Sequence, residues 1–254
     1  MLLAADIGNT NITLGAFDGE TLLASWRLST DTRRQPDEYA AMLQTVLPMR
    51  HVSSSDIHGA IICSVVPPLT GVFEDVCKKA FDVTPLVVGT GIRTGVRILY
   101  DSPRDVGADR IVDAAAAYRL YGGPVIIVDF GTATVFDAVT REGEYLGGAI
   151  FPGLNVAADA LFFGTSQLRR VELAPPKSAI GRNTVAALQS GLVFGHVAMV
   201  EGMVRRFKDE LAEDAKVIAT GGLAPLIAGE TSVFDAVNAD LTLFGLRMIY
   251  AMNP

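Results

Sequence analysis

Two short segments, Asp6-Ile7-Gly8-Asn9-Thr10 and Asp129-Phe130-Gly131-Thr132-Ala133, each put a carboxylate, a glycine and a threonine within five residues. In a tight turn between strands, these groups suit a metal-bound polyphosphate. The carboxylate can hold a cation directly or through water, the glycine admits the ligand close to the backbone, and threonine or asparagine donates to phosphate oxygens. A single turn of this kind carries little weight, because Asp-Gly turns are common structural features. Two copies, each after an apolar run and each opening a hairpin, are far less expected by chance. Thr220-Gly221-Gly222 is a third candidate, a glycine pair after a strand against which an adenine or ribose could lie. There is no Gly-x-x-x-x-Gly-Lys-Ser/Thr loop and no Gly-x-Gly-x-x-Gly fingerprint, so P-loop and Rossmann mechanisms have no support.

Phosphoryl transfer also needs a group that orients the acceptor hydroxyl and takes its proton. Asp109, in Gly107-Ala108-Asp109-Arg110, follows a flexible glycine and stands at the expected N-terminus of a helix, whose dipole favours an anion. A carboxylate of ordinary pKa, about 3.9, is a weak base. The loose transition state asks mostly for positioning, however, until late proton transfer. Asp109 could equally do no more than cap the helix, and Asp105 and Asp113 compete for the same role. His51, His58 and His196 have no clustered partners and read as structural. Cys63 and Cys77 lie in apolar surroundings without metal-ligand spacing and read as reduced core residues.

The elements that would carry these groups follow a repeated plan. Leu2 to Ala5 is an apolar strand ending in the first Asp turn; Asn11 to Phe17 and Thr21 to Leu28 continue as a hairpin through Asp18-Gly19. Glu38 to Leu47 has helical spacing, Ile61 to Val66 reads as a β-branched strand, and Pro67-Pro68 opens a helix. Leu86 to Val88 reads as a further strand. Asp109 to Tyr121 is alanine-rich and unbroken until Gly122-Gly123, which predicts a helix. The opening theme then returns: Val125 to Val128, the second Asp turn, Thr134 to Val139, a polar turn, and Tyr145 to Ile150. A repeat at this distance is too long for a solenoid and predicts a duplicated domain whose paired turns face each other across a cleft. A long helix from Thr184 to Leu211 with Asn183 as N-cap, a strand at Val217 to Ala219 and a last helix near Leu243 to Tyr250 complete the chain.

Bulk properties bound the reading. With 254 residues, half of them hydrophobic and 19% charged, the chain is too apolar for disorder and long enough for a sizeable core. The longest apolar runs fall short of the roughly 20 residues of a spanning helix. The first residues lack a basic leader, so no membrane and a cytoplasmic location are expected. Net charge is −7 and the basic doublets, such as Arg33-Arg34 and Lys78-Lys79, are scattered, which argues against a nucleic-acid partner.

Taken in order, Asp6 to Asn11, Ser64-Val65-Val66-Pro67-Pro68, Tyr100-Asp101, Gly107 to Arg110, Asp129 to Ala133, Gly147-Gly148-Ala149, Gly181-Arg182-Asn183-Thr184 and Thr220 to Leu223 resemble the type III pantothenate kinases, members of the actin, sugar kinase and Hsp70 superfamily. The resemblance covers essentially the whole chain. It implies an α/β fold of two duplicated ribonuclease H-like (actin-like ATPase) halves with mixed sheets, residues 1–113 and 114–254, and an ATP cleft between them. It implies phosphorylation of pantothenate by ATP to 4′-phosphopantothenate, the first step of coenzyme A synthesis, with Asp109 as base. ATP would be bound by Asp6, Ile7, Gly8, Asn9, Thr10, Asn11, Ile12 and Thr13 together with Thr132. Pantothenate would contact Tyr100, Gly107, Ala108, Asp109, Arg110 and Thr184. Asp129 would hold a monovalent cation, K⁺ or NH₄⁺, and Mg²⁺ would accompany the nucleotide. The family is dimeric, which makes the Thr184 helix a candidate homodimer interface. Phe162-Phe163-Gly164 and Phe244 depart from the family pattern, which has charged residues there.

Two other readings remain open at this level. A sugar or acetate kinase of the same superfamily would keep both phosphate turns and change the acceptor pocket. A nucleotide-gated regulatory protein would bind partners without acceptor-dependent ADP release.

Overall fold

A computed structural model describes residues 1–211 and 214–254 of the chain. Two compact units account for them. The first comprises residues 1–96, 101–116 and 241–254; the second comprises 97–100 and 117–240.

The first unit is built on β1 (Leu2–Ile7), β2 (Asn11–Asp18), β3 (Thr21–Ser29), β4 (Gly59–Ser64) and β5 (Leu86–Val87). The sheet runs β3-β2-β1-β4-β5, antiparallel on the β2 side of β1 and parallel on the β4 side. The Asp18-Gly19 hairpin forms as read, with Gly19 at φ +57°, a conformation that glycine adopts without steric cost. Two helices cover one face, α1 (Pro36–Val46) and α2 (Pro67–Phe81). Pro36 sits in the first turn of α1 behind a capping box in which the Gln35 N–H donates to Glu38 Oε2 at 2.9 Å.

Strand alternation decides what each face buries. Leu3, Ala5 and Ile7 of β1 and Ala60 and Ile62 of β4 enter the core with Leu43, Leu69 and Phe73 of the two helices. Ala4, Ile61 and Cys63 point to the opposite face. There they meet Val112 and Ala115 of α3 (Ala108–Tyr121) and Leu243, Leu246 and Ile249 of the C-terminal helix. Asp6, two residues after Ala4, shares that second face.

The second unit repeats the plan. It contains β6 (Arg97–Ile98), β7 (Val125–Phe130), β8 (Ala133–Val139), β9 (Glu144–Pro152), α4 (Leu154–Phe163), α5 (Thr184–Gln189), α6 (Gly195–Leu211), β10 (Lys216–Thr220), α7 (Ala224–Ala228) and β11 (Ala236–Val237). Its sheet order is β11-β10-β7-β8-β9-β6, so β9-β8-β7-β10-β11 reproduces the order of the first sheet and β6 is added at the edge. Ile126, Val128 and Phe130 of β7 pack with Val200 and Val204 of α6 and Ile227 of α7. Asp129 therefore points away from that core, as Asp6 points away from the core of α1 and α2.

Several features lie outside the sequence reading. α4 was not anticipated, and β6 and β11 are two-residue strands that only a neighbouring strand defines. The Thr184 to Leu211 helix has the expected span, but a π turn at Ser190–Phe194 divides it. This 28-residue run contains an 18-residue window of mean hydropathy 1.2, long and apolar enough to cross a membrane by length and composition alone. No uninterrupted apolar run signals it in the sequence, because Gln189, His196 and Glu201 break the stretch. A globular-domain helix can pass the same test, so the property by itself assigns no membrane role. The last helix, α8 (Leu241–Met252), closes the second face of the first sheet, so contacts return residues 241–254 to the first unit. A single cut at 113/114 does not describe that return.

α8 approaches α3 through Gly245, where a Cβ would lie 2.5 Å from the Val112 carbonyl oxygen and 3.1 Å from Ala116 Cβ. Gly245→Val is expected to destabilise the protein by roughly 1–3 kcal/mol through overpacking. The check is a lowered urea midpoint at unchanged m-value; an unchanged midpoint would mean that the helices do not meet there.

Candidate active site

In the first unit β1 delivers Asp6 to a closed turn. Gly8 N–H donates to the Asn11 carbonyl at 3.0 Å, Thr30 Oγ1 donates to the Gly8 carbonyl at 2.6 Å, and Thr30 N–H donates to the Thr10 carbonyl at 3.1 Å. The turn is thus tied to the end of β3. Asn9, Thr10 and Asn11 are exposed, whereas Ile7 and Ile12 are fully buried, so those two could offer a ligand only backbone groups. Thr13 pairs with Asp6 across the ladder and is half-buried.

Asp109 lies in the first turn of α3. Its Oδ1 accepts the Arg110 N–H at 2.8 Å, and a Cβ on Gly107 would sit 2.5 Å from the same oxygen. Glycine at 107 is therefore what leaves room for the carboxylate. Burial pushes the Asp109 carboxyl above the usual aspartate range, and the Arg110 amide and guanidinium oppose that rise.

Cys63 marks where the acidic groups gather. It stands beside Asp6 in the parallel register of β1 and β4, and its thiol is pushed far up, first by burial and then by the negative fields of Asp6, Asp109 and Asp113. Register parity thus brings Asp6 to the sheet face that α3 covers. Asp113, one turn after Asp109, is buried and accepts the Thr242 hydroxyl at 2.7 Å, a bond that joins α3 to α8. Asp105 is exposed on a single 3₁₀ turn, Pro103–Asp105. Asp109 and Asp113 both stand in the Asp6 neighbourhood; Asp109 is the one in the first turn of α3 and the less withdrawn from solvent.

In the second unit the turn after β7 is held from two sides. Gly131 N–H donates to the Ala133 carbonyl at 3.0 Å. Gly221, at φ +88°, lies against Asp129 and Phe130, and a Cβ there would come 2.7 Å from the Phe130 nitrogen. Gly153, which opens α4, donates to the Thr132 carbonyl at 3.1 Å. Asp129, Thr132 and the Thr220-Gly221-Gly222 turn thus form one local assembly, as the register of β7 with β10, Asp129 opposite Thr220, requires. Tyr100 is elsewhere in the unit, half-buried just beyond β6, and Thr184 is exposed at the start of α5. Asn183 caps that helix as read, accepting the Ala186 N–H at 2.9 Å.

The three histidines add no chemistry to these turns. Burial pulls the His196 pKa down, the Pro152 and Leu192 backbone oppose it, and Nε2 is buried with no hydrogen-bond partner among the described residues. Cys63 and Cys77 are free and buried. Among the described residues no group of three or more His, Cys, Asp or Glu side chains gathers to hold a metal. A carboxylate beside a glycine turn fits instead an ion such as Mg²⁺, which keeps several waters and binds through one or two carboxylates and substrate phosphates. Asp137 and Tyr145 were not singled out from the sequence; a carboxylate in the middle of the apolar strand Thr134 to Val139 was the available signal.

Comparison with known proteins adds the following. The family model described as type III pantothenate kinase matches residues 2–206. A type III pantothenate kinase of Dehalococcoides mccartyi is 53% identical over 252 residues, covering 99% of this chain and 96% of the relative. Among solved structures, a conserved Baf family protein from Campylobacter jejuni matches with a TM-score of 0.65 at 19% identity, covering 99% of this chain and 98% of the other. An inorganic polyphosphate/ATP-glucomannokinase from an Arthrobacter strain matches with a TM-score of 0.51 at 14% identity, covering 100% and 99%. At these identities the structural likeness concerns the fold alone, two α/β halves of the actin-like kind.

The raised Asp109 pKa has a consequence for stability. A carboxyl whose folded pKa exceeds its unfolded value contributes stability that is fully present below the unfolded value, about 3.9, and lost as pH rises through the folded one. Asp109→Asn is therefore expected to melt above wild type at pH 7, with the difference shrinking towards pH 4. Thermal melts at the two pH values check this, and an Asn variant that melts lower at pH 7 would contradict it.

Proposed function

The chain belongs to the type III pantothenate kinase family, and from that premise we propose that it phosphorylates pantothenate with ATP, giving 4′-phosphopantothenate, with Asp109 as general base. The observation that carries the base assignment is the placement of Asp109 in the region of Asp6, buried enough to raise its pKa. The carboxylate takes the proton of the acceptor's primary hydroxyl as that oxygen forms its bond to the γ-phosphorus. The bond from the γ-phosphorus to the bridging oxygen breaks, and ADP leaves. A pKa raised by burial brings the base closer to neutrality, where proton transfer is most efficient.

Asp6, Gly8, Asn9, Thr10, Asn11 and Thr13 are the proposed ATP contacts in the first unit, with Ile7 and Ile12 contributing backbone only. Thr132 takes the same role in the second unit. Mg²⁺ bound with the nucleotide would neutralise charge on the β- and γ-phosphate oxygens. Asp129 is the proposed ligand of a monovalent cation, K⁺ or NH₄⁺, since its carboxylate stands at a turn kept open by Gly131 and Gly221. Tyr100, Gly107, Ala108, Asp109, Arg110 and Thr184 are the proposed pantothenate contacts. The half-exposed Thr184–Leu211 helix is the proposed homodimer surface, and its apolar composition is read as serving that contact rather than a membrane. With small soluble substrates and net charge −7, the enzyme is proposed to work in the cytoplasm without nucleic acid.

Pantothenate-dependent ADP release in K⁺ buffer tests the reaction. Release with a sugar but not with pantothenate would favour a sugar kinase. Asp109→Asn is expected to lower kcat by about 10²- to 10⁴-fold, and full activity in that variant would remove Asp109 as base. In wild type the acid limb of kcat/KM is expected above the ordinary aspartate value of about 3.9.

For the cation, wild type should lose rate when Na⁺ replaces K⁺, and Asp129→Asn should be slow and nearly indifferent to the exchange. A variant that keeps the full K⁺ response would reassign the cation.

A further inference from the structure

On two interior strands of the second sheet, β8 and β9, lies a buried polar pair outside the phosphate turns. Asp137, in the middle of β8, is 3% exposed, and such a carboxylate is costly unless hydrogen-bonded. Tyr145 of β9 is fully buried and donates its hydroxyl to Asp137 Oδ1 at 2.7 Å, a good O–H···O length. Gly148 stands opposite Asp137; a Cβ there would run into the Phe136 carbonyl first and come 3.0 Å from Asp137 Oδ1, so the strands approach too closely here for any side chain. An apolar pair could fill this interior at lower desolvation cost, so the hydrogen bond calls for a reason beyond packing.

The adjacent bulge supplies one. Pairing of β8 with β9 slips between Ala138 and Val139, which face Gly147 and Tyr145 and leave Leu146 as the extra residue. Gly147 takes φ +113°, and a Cβ there would lie 2.8 Å from the Tyr100 ring. Tyr100 occupies the recess and lies against the Tyr145 ring, with centroids 6.4 Å apart and planes at 40°. The backbone holds it too, because Ile98 pairs with Tyr145 and the Leu99 N–H donates to the Tyr145 carbonyl at 2.9 Å. Tyr145 thus grips Tyr100 through both backbone and ring, while Asp137 fixes the Tyr145 ring.

We propose that Asp137 and Tyr145 are a positioning pair that sets the Tyr100 ring and, through it, affinity for the acceptor. The proposal rests on the reading that Tyr100 contacts pantothenate.

Steady-state kinetics of single and double variants test it. Tyr145→Phe keeps the ring and removes the hydroxyl; it should raise the pantothenate KM about five- to tenfold, the scale of one lost ordinary hydrogen bond, with ATP KM unchanged. Asp137→Asn still offers an accepting oxygen and should stay within about twofold of wild type. Gly147→Ala reaches the same ring from the recess and should give the same split, which guards against a folding defect peculiar to Tyr145→Phe. In a Tyr100→Leu background, Tyr145→Phe should have no additional effect. The proposal is overturned by an unchanged pantothenate KM in both Tyr145→Phe and Gly147→Ala, by equal changes in both substrates' KM, or by a Tyr145→Phe effect that persists without Tyr100. If Tyr100→Leu alone leaves pantothenate KM unchanged, the acceptor role of Tyr100 fails first and the positioning pair falls with it.

Discussion

Each unit is organised around a strand that is paired on both edges and covered on both faces, so a charge can leave it only at its end. β1 and β7 each carry their aspartate at the next-to-last position, Asp6 and Asp129. A shift of one residue in either direction would turn the carboxylate to the other face, into the core that holds Ala5 and Ile7 or Val128 and Phe130. Parity explains the rest. Asp6 shares a face with Ala4 and, through the parallel register, with Cys63 of β4, so α3 must bring its acidic first turn to that face. Asp129 lies opposite Thr220 of β10, so the glycine turn after β10 must pass beside it.

The glycines follow from that crowding. Gly221 adopts a left-handed conformation and lies against Asp129, and Gly107 leaves the space that the Asp109 carboxylate fills. In both places a side chain would meet a carboxylate oxygen.

Much of this was legible from the amino-acid order. Apolar runs ending in Asp-x-Gly with hairpins behind them revealed the duplication, and Asn183 was readable as a cap because its mechanism is local. What escaped depends on partners distant in the chain. β6 exists only because Arg97 and Ile98 find Glu144 and Tyr145, and nothing within 97–98 signals a strand. α8 belongs with the first sheet because Gly245 fits against Val112 and Ala116, more than a hundred residues away. The π turn at Ser190–Phe194 leaves the helical pattern of apolar residues intact and is invisible to it. Asp137 was passed over for the opposite reason: its strand was read correctly, but its partner Tyr145 lies across a bulge that shifts the register by one residue.

The two acidic residues of α3 show how one helix can treat like groups differently. Asp113 is the more withdrawn by exposure, and it accepts a hydroxyl from Thr242, a neutral donor that satisfies an oxygen while joining two helices. Asp109, one turn nearer the N-terminus, has the helix dipole and the Arg110 amide in its favour, and burial against it. Burial prevails in direction, so its carboxyl holds a proton more readily than an ordinary aspartate. That balance is unfavourable for stability and favourable for a base. A residue kept only to cap α3 would do better exposed, where water would solvate its charge at no cost to the core.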